Sequence, residues 1–117
     1  MRKPSLFDIV FWAAAVAVPL VACALIVPTL PDAVPLHWGP TGIDRWGSPS
    51  DVWPLGIAMA GLNAILFVFF LFNDWLYDHG LVHGVSREGA LTVCRVGAVI
   101  VAALSLVLLM MVAMSAR

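Results

Sequence analysis

A chain of 117 residues that is 62% hydrophobic, only 11% charged and has a mean hydropathy of +1.01 has the composition of a membrane protein. Its net charge of -1, with 6 Lys and Arg against 7 Asp and Glu, excludes the basic surface that nucleic-acid binding requires. The function is therefore to be sought at a lipid bilayer.

The first element is an uncharged run from Ile9 to Pro31, which predicts a transmembrane helix over 7–29. The run is too long for the apolar part of a signal peptide, and no clear small-x-small cleavage site follows it. Pro19 should kink this helix and free a carbonyl that a neighbour must satisfy. Ala13 and Ala17 offer a small-residue stripe for packing, and Trp12 reads as an interfacial belt residue.

A loop over 30–52 follows, containing the sequence LPDAVPLHWGPTGIDRWGS. Pro31, Pro35, Pro40 and Pro49, with Gly39, Gly42 and Gly47, predict a compact series of turns between helices. A long connection of this kind is usually functional. Asp32, His37 and Asp44 are two carboxylates and an imidazole in a short segment, candidate ligands for a divalent cation. The alternative is that the carboxylates accept backbone N–H bonds in turns while His37 satisfies a buried carbonyl. Trp38 and Trp46 are candidate anchors against the helix ends, presenting an amphipathic surface to a partner.

The second uncharged run, Val52 to Phe72, predicts a helix over 53–73. Gly56, Ala60 and Ala64 form a packing stripe on it, and Asn63 is its one strongly polar residue. Asn63 reads either as an interhelical hydrogen bond or as the lining of a ligand path. Next comes NDWLYDHGLVHGVSREG, where His79 and His83 would share a helical face beside Asp74 and Asp78, a weak metal or haem candidate. Gly80 and Gly84 argue against that helix, leaving a solvated connection as the alternative. Trp53 and Trp75 read as belt residues.

The third run, Val96 to Ala116, predicts a helix over 90–114, with Ser86 and Glu88 capping its start and Arg95 reaching toward lipid head groups. Ala98 with Ala102, and Gly97 with Ser105, supply its small residues. Cys23 and Cys94 fall at opposite ends of their helices, so no disulfide is expected between them. Arg2, Lys3, Arg87 and Arg95 lie on one side of the membrane and Arg45 and Arg117 on the other. The bias predicts a cytoplasmic N-terminus and an extracytoplasmic first loop.

The loop also resembles a known signature. Leu30, Pro31, Asp32, Val34, Pro35, His37, Trp38, Gly42, Asp44, Trp46, Gly47 and Ser48 are ordered as in the membrane domain of unknown function that forms the front part of SdpI-type immunity proteins. Pro49 stands where that family often has Lys. The resemblance implies a set of membrane helices with this loop after the first, and protection against a membrane-active peptide toxin, in some members coupled to signalling through a sequestered repressor.

The sequence thus predicts an all-α integral protein of a bacterial inner membrane, a single domain over 1–117 with three transmembrane helices and a structured extracytoplasmic loop. Its expected function is an immunity-like or sensing role toward a membrane-active peptide or lipid-linked ligand. Asp32, Pro35, His37, Trp38, Asp44 and Trp46 are the ligand or partner residues, and Asn63 is the intramembrane polar residue. No cofactor is expected, and an enzyme less than a binding protein. The partners are the lipid bilayer and a peptide toxin, a larger membrane complex or a second copy of the chain. Two rival readings remain: a subunit of a larger membrane transporter, and a metal-dependent enzyme at the membrane surface built on Asp32, His37 and Asp44.

Overall fold

The computed structural model describes residues 2–116. In chain order it contains α1 (Leu6–Ile26), β1 (Val34–Gly39), β2 (Gly42–Gly47), α2 (Trp53–Leu71), α3 (Asn73–Asp78) and α4 (Arg87–Ser115). Single tight turns of helix, Val27–Thr29 and Pro49–Val52, extend α1 and precede α2. With them, three helices span 24, 23 and 29 residues and are long and apolar enough to cross a membrane. This is a multi-pass membrane protein, mostly helical.

The first and last helices begin where the sequence provides a cap. Ser5 accepts from the Asp8 amide at 3.1 Å and the Asp8 carboxylate accepts from the Ser5 amide at 3.0 Å, a reciprocal pair that satisfies two otherwise unpaired donors at the head of α1. At α4 the Ser86 hydroxyl accepts one such bond, from the Gly89 amide 2.9 Å away. That cap starts α4 at Arg87, before the expected residue 90.

Two expectations about architecture are corrected. The fold is not wholly helical, because the loop after α1 folds into an antiparallel β-hairpin. Proline at positions 35 and 40 forbids a helix there, and Val34, Trp38, Ile43 and Trp46 suit a pleated surface. Pro40 and Thr41 make the turn, and Gly42 follows at a φ of 116°, a left-handed conformation in which a side chain would be strained. The connection after α2 is also more ordered than a solvated loop. Its short α3 closes on α4 through Asn73, whose amide donates to the Arg87 carbonyl at 3.1 Å, and Tyr77, whose hydroxyl donates to the Val85 carbonyl at 3.2 Å.

The helices pack along faces repeating at heptad spacing, which keeps a contact seam aligned over many turns. On α1 the face is Asp8, Trp12, Ala15, Pro19 and Ala22; on α4 it is Leu91, Ala98, Ser105 and Val112. The α2 face is Gly56, Ala60, Asn63 and Phe70. Ala64 and Ala13, expected in the seams, are exposed. A strict four-residue repeat advances about 40° per step at about 100° per residue, so a stripe that begins inside at Gly56 has drifted outward by Ala64. Asn63 takes the inward place instead.

Packing is tightest where the small residues lie. A Cβ on Gly56 would sit 2.4 Å from Cys23 Sγ and 3.2 Å from the Pro19 carbonyl oxygen, so only glycine allows α2 to approach α1 here. Ala60 is 5% exposed. Ala60→Leu is expected to force the helices apart at a cost of about 1–3 kcal/mol. The check is unfolding in mixed micelles of mild detergent and dodecyl sulfate.

Trp12 departs from the belt assignment. It is 1% exposed and forms the core of an aromatic cluster with Phe67 and Phe70, at centroid distances of 5.3 and 5.5 Å. Nor does Arg95 run free to head groups. It pairs with Asp8 at 3.3 Å and lies 5.0 Å from the Phe70 ring centre. Beside this pair, Asp74 takes Arg2 at 3.7 Å and Arg87 at 3.1 Å, and Asp78 takes Arg87 at 2.6 Å. One end of the bundle is therefore ionic, and the hairpin occupies the other. Cys23 and Cys94 are both free.

Candidate functional site

The hairpin is built irregularly, and the irregularities place its polar side chains. Pairing runs Pro35 with Trp46, His37 with Arg45 and Trp38 with Ile43, so Leu36 and Asp44 are left over as bulges on opposite strands. A bulge re-aims the extra residue. Asp44 is turned toward His37, and its Oδ1 lies 2.6 Å from His37 Nδ1. Gly39 makes room for this: a Cβ there would meet Asp44 Oδ2 at 2.4 Å.

The partner of His37 is thus a carboxylate at the surface, not a buried carbonyl. The two side chains are 66% and 48% exposed. Exposed pairs of this kind contribute little, so His37→Ala should lower stability by no more than about 1 kcal/mol, read as a small shift of the thermal midpoint in detergent. Gly39→Ala should cost a similar amount, because the Asp44 carboxylate must swing away and the same pair is lost. A loss well above about 1 kcal/mol for His37→Ala would mean that the pair itself holds the hairpin.

Asp32 is exposed in the bend before β1 and forms no cluster with His37 and Asp44. His79 stacks on Trp75 at 4.2 Å and its Nδ1 bonds the Trp75 carbonyl at 2.8 Å. His83 lies beyond α3, after Gly80 at a φ of 68°, so the two imidazoles share no helical face. Among the described residues, no three His, Cys, Asp or Glu side chains converge in a way that could hold a metal ion. The ligand sets Asp32–His37–Asp44 and His79–His83 are therefore not assembled.

Pro35 is buried beneath the hairpin, while Trp38 and Trp46 are 39% and 52% exposed. Trp38 and Pro35 both line a cleft of about 410 Å³ between the hairpin and the ends of α2 and α4. Leu36, Arg45, Asp51, Val52, Pro54, Leu55, Leu108 and Val112 complete its lining. Val34 anchors the hairpin over it, fully buried in a cluster with Cys23, Val52, Leu109 and Val112. Asp51 caps the turn before α2, where its Oδ2 accepts from the Ser48 amide at 2.9 Å and the Ser48 hydroxyl at 3.2 Å. Arg45 has no carboxylate within 4 Å among the described residues.

Leu36, Arg45 and Asp51 were not among the residues singled out from the sequence. Arg45 is the lone cation of a loop otherwise rich in Pro, Gly and Trp, and counting it only toward orientation hid it. Ser48 three residues before Asp51 has capping spacing, which marks the carboxylate as a helix-start residue.

Asn63 lies far from this cleft, fully buried between the helices. Its Nδ2 donates to the Ala15 carbonyl at 2.7 Å and the Ala98 carbonyl at 3.2 Å, joining α2 to both neighbours.

Residues 14–60, from the middle of α1 through the hairpin to the first half of α2, match DUF1648, a domain of unknown function. No curated protein and no solved structure matches the chain.

Proposed function

We propose that this is a bacterial inner-membrane protein whose hairpin faces the extracytoplasmic side and binds or senses a membrane-active peptide or a lipid-linked ligand, in an immunity-like role. The observation that carries the reading is the cleft under the hairpin, a concave, largely apolar site with a few polar groups, of a size typical for ligand sites. It opens at the helix ends, where a membrane-active molecule must pass. Trp38 and Trp46 present rings with an apolar body and a polar edge, suited to that boundary. The resemblance of the hairpin sequence to the loop of SdpI-type immunity proteins supports the same role, and the domain match at residues 14–60 covers that segment.

The test is protection. Cells that express the chain should survive a secreted, membrane-active peptide toxin of the kind that SdpI-type proteins counter, at doses that kill cells without it. Trp38→Ala and Trp46→Ala should each lose most of that protection while accumulating in the membrane at normal levels. Equal killing with and without the wild-type chain, across a panel of such peptides, contradicts the proposal.

A further inference from the structure

The cleft carries a charge pattern more specific than its size. Among the described residues, Arg45 contributes a guanidinium without an ion-pair partner, and Asp51 contributes a carboxylate whose hydrogen bonds both fall on one oxygen, Oδ2. One cation and one anion thus line the same cleft, together with the apolar side chains of Leu55, Leu108 and Val112. Leu108 stands about 10 Å inside the end of α4 at 1.5 Å per residue, which takes the cleft from the polar boundary into hydrocarbon. A ligand complementary to all of this carries both charges at one end and an apolar chain at the other.

We infer that the cleft holds one zwitterionic phospholipid of the phosphoethanolamine class, with its phosphate on Arg45, its ammonium on Asp51 and an acyl chain along Leu55, Leu108 and Val112. Arginine presents a planar fork that matches phosphate oxygens, and a primary ammonium donates to a carboxylate where a trimethylated choline cannot. A purely anionic headgroup would meet Asp51 as a like charge. This inference rests on the hairpin end being a ligand site, as proposed above, and it names the ligand.

The test is native mass spectrometry of the full chain released from detergent after titration with phosphatidylethanolamine, phosphatidylglycerol or phosphatidylcholine of matched chains. One phosphatidylethanolamine per chain should be retained about tenfold more tightly than either other lipid, the difference expected for one charge-assisted contact. Asp51→Asn should bring the three lipids level, because it removes the one contact that separates them, and Leu108→Trp should block retention by filling the apolar wall. Both variants should keep the wild-type thermal midpoint with no lipid added, since an asparagine oxygen still accepts from Ser48; should Asp51→Asn fail to fold, Leu108→Trp decides. Equal or stronger retention of phosphatidylglycerol overturns the inference, as does a preference for phosphatidylethanolamine that survives both variants. Protection against a peptide without lipid selectivity removes the lipid and leaves the proposed role, whereas lipid selectivity without protection does the reverse.

Discussion

Replacing Asn63 by leucine is expected to destabilise the bundle by about 1–2 kcal/mol, the upper range for a hydrogen bond between membrane helices. The cause lies on another helix. Pro19 has no N–H, so the Ala15 carbonyl four residues earlier has no partner within α1, and the Asn63 amide supplies one at 2.7 Å. Leucine has the same branched shape and leaves no cavity, so the loss reports the hydrogen bond and the overpacking of a larger side chain. The pairing makes a sharper forecast. In a Pro19→Ala background the Ala15 carbonyl regains an intrahelical donor, and Asn63→Leu should then cost at least about 0.5 kcal/mol less than in the wild type. Additive effects in mixed-micelle unfolding would mean that the kink and the asparagine are independent.

The other large effect belongs to the ionic end. Asp8 closes the α1 cap with Ser5 and also holds Arg95 of α4 at 3.3 Å, while being only 8% exposed. Asp8→Ala removes the carboxylate half of the cap, the bond from the Ser5 amide, worth up to about 1 kcal/mol, and strands a guanidinium that leans on Phe70. Breaking a fully buried pair costs roughly 3–5 kcal/mol, and Arg95 keeps part of its surface in solvent, so a total near 2–3 kcal/mol is expected. Asp8→Asn should recover the cap share because its amide oxygen still accepts from Ser5. The same unfolding assay checks both, and equal losses for Ala and Asn would assign the whole effect to the ion pair.

The spans were legible because composition and length decide them: an uncharged run of helical length has few other fates in a protein this apolar. Pro19 and Asn63 were each visible as oddities, and the need for a partner at the freed carbonyl followed from proline chemistry. That the two answer one another was not visible, since they are separated by the hairpin and meet only when the helices pack. The inward faces were legible in part, through Gly56, Ala60, Ala98 and Ser105, and blurred for a related reason. Ala13 and Ala64 looked like seam residues under a four-residue repeat, but the seam follows the heptad period, and only contact with a neighbour selects between them. Asp8 drew no attention beside a long apolar run, and its partner Arg95 stands at the far end of the sequence.

At the hairpin, the turn-forming residues were read correctly as marking a compact loop, but the strands between them were not. Their side-chain alternation is broken by the bulges at Leu36 and Asp44, which erases the period-two signal. The same bulges bring Asp44 to His37 and leave Arg45 to the cleft. A list of the loop's titratable residues could not separate these roles, because strand register sets them.

The central claim is that the hairpin and its cleft face away from the cytoplasm. With Cys23 and Cys94 replaced by alanine, single cysteines introduced as Thr41→Cys at the hairpin turn and Gly84→Cys in the connection before α4 should report the two ends separately. The account predicts that an impermeant thiol reagent labels the Thr41→Cys protein in intact cells and labels the Gly84→Cys protein only after lysis. Labelling of Gly84→Cys in intact cells, with Thr41→Cys protected until lysis, would place the cleft in the cytoplasm and contradict it.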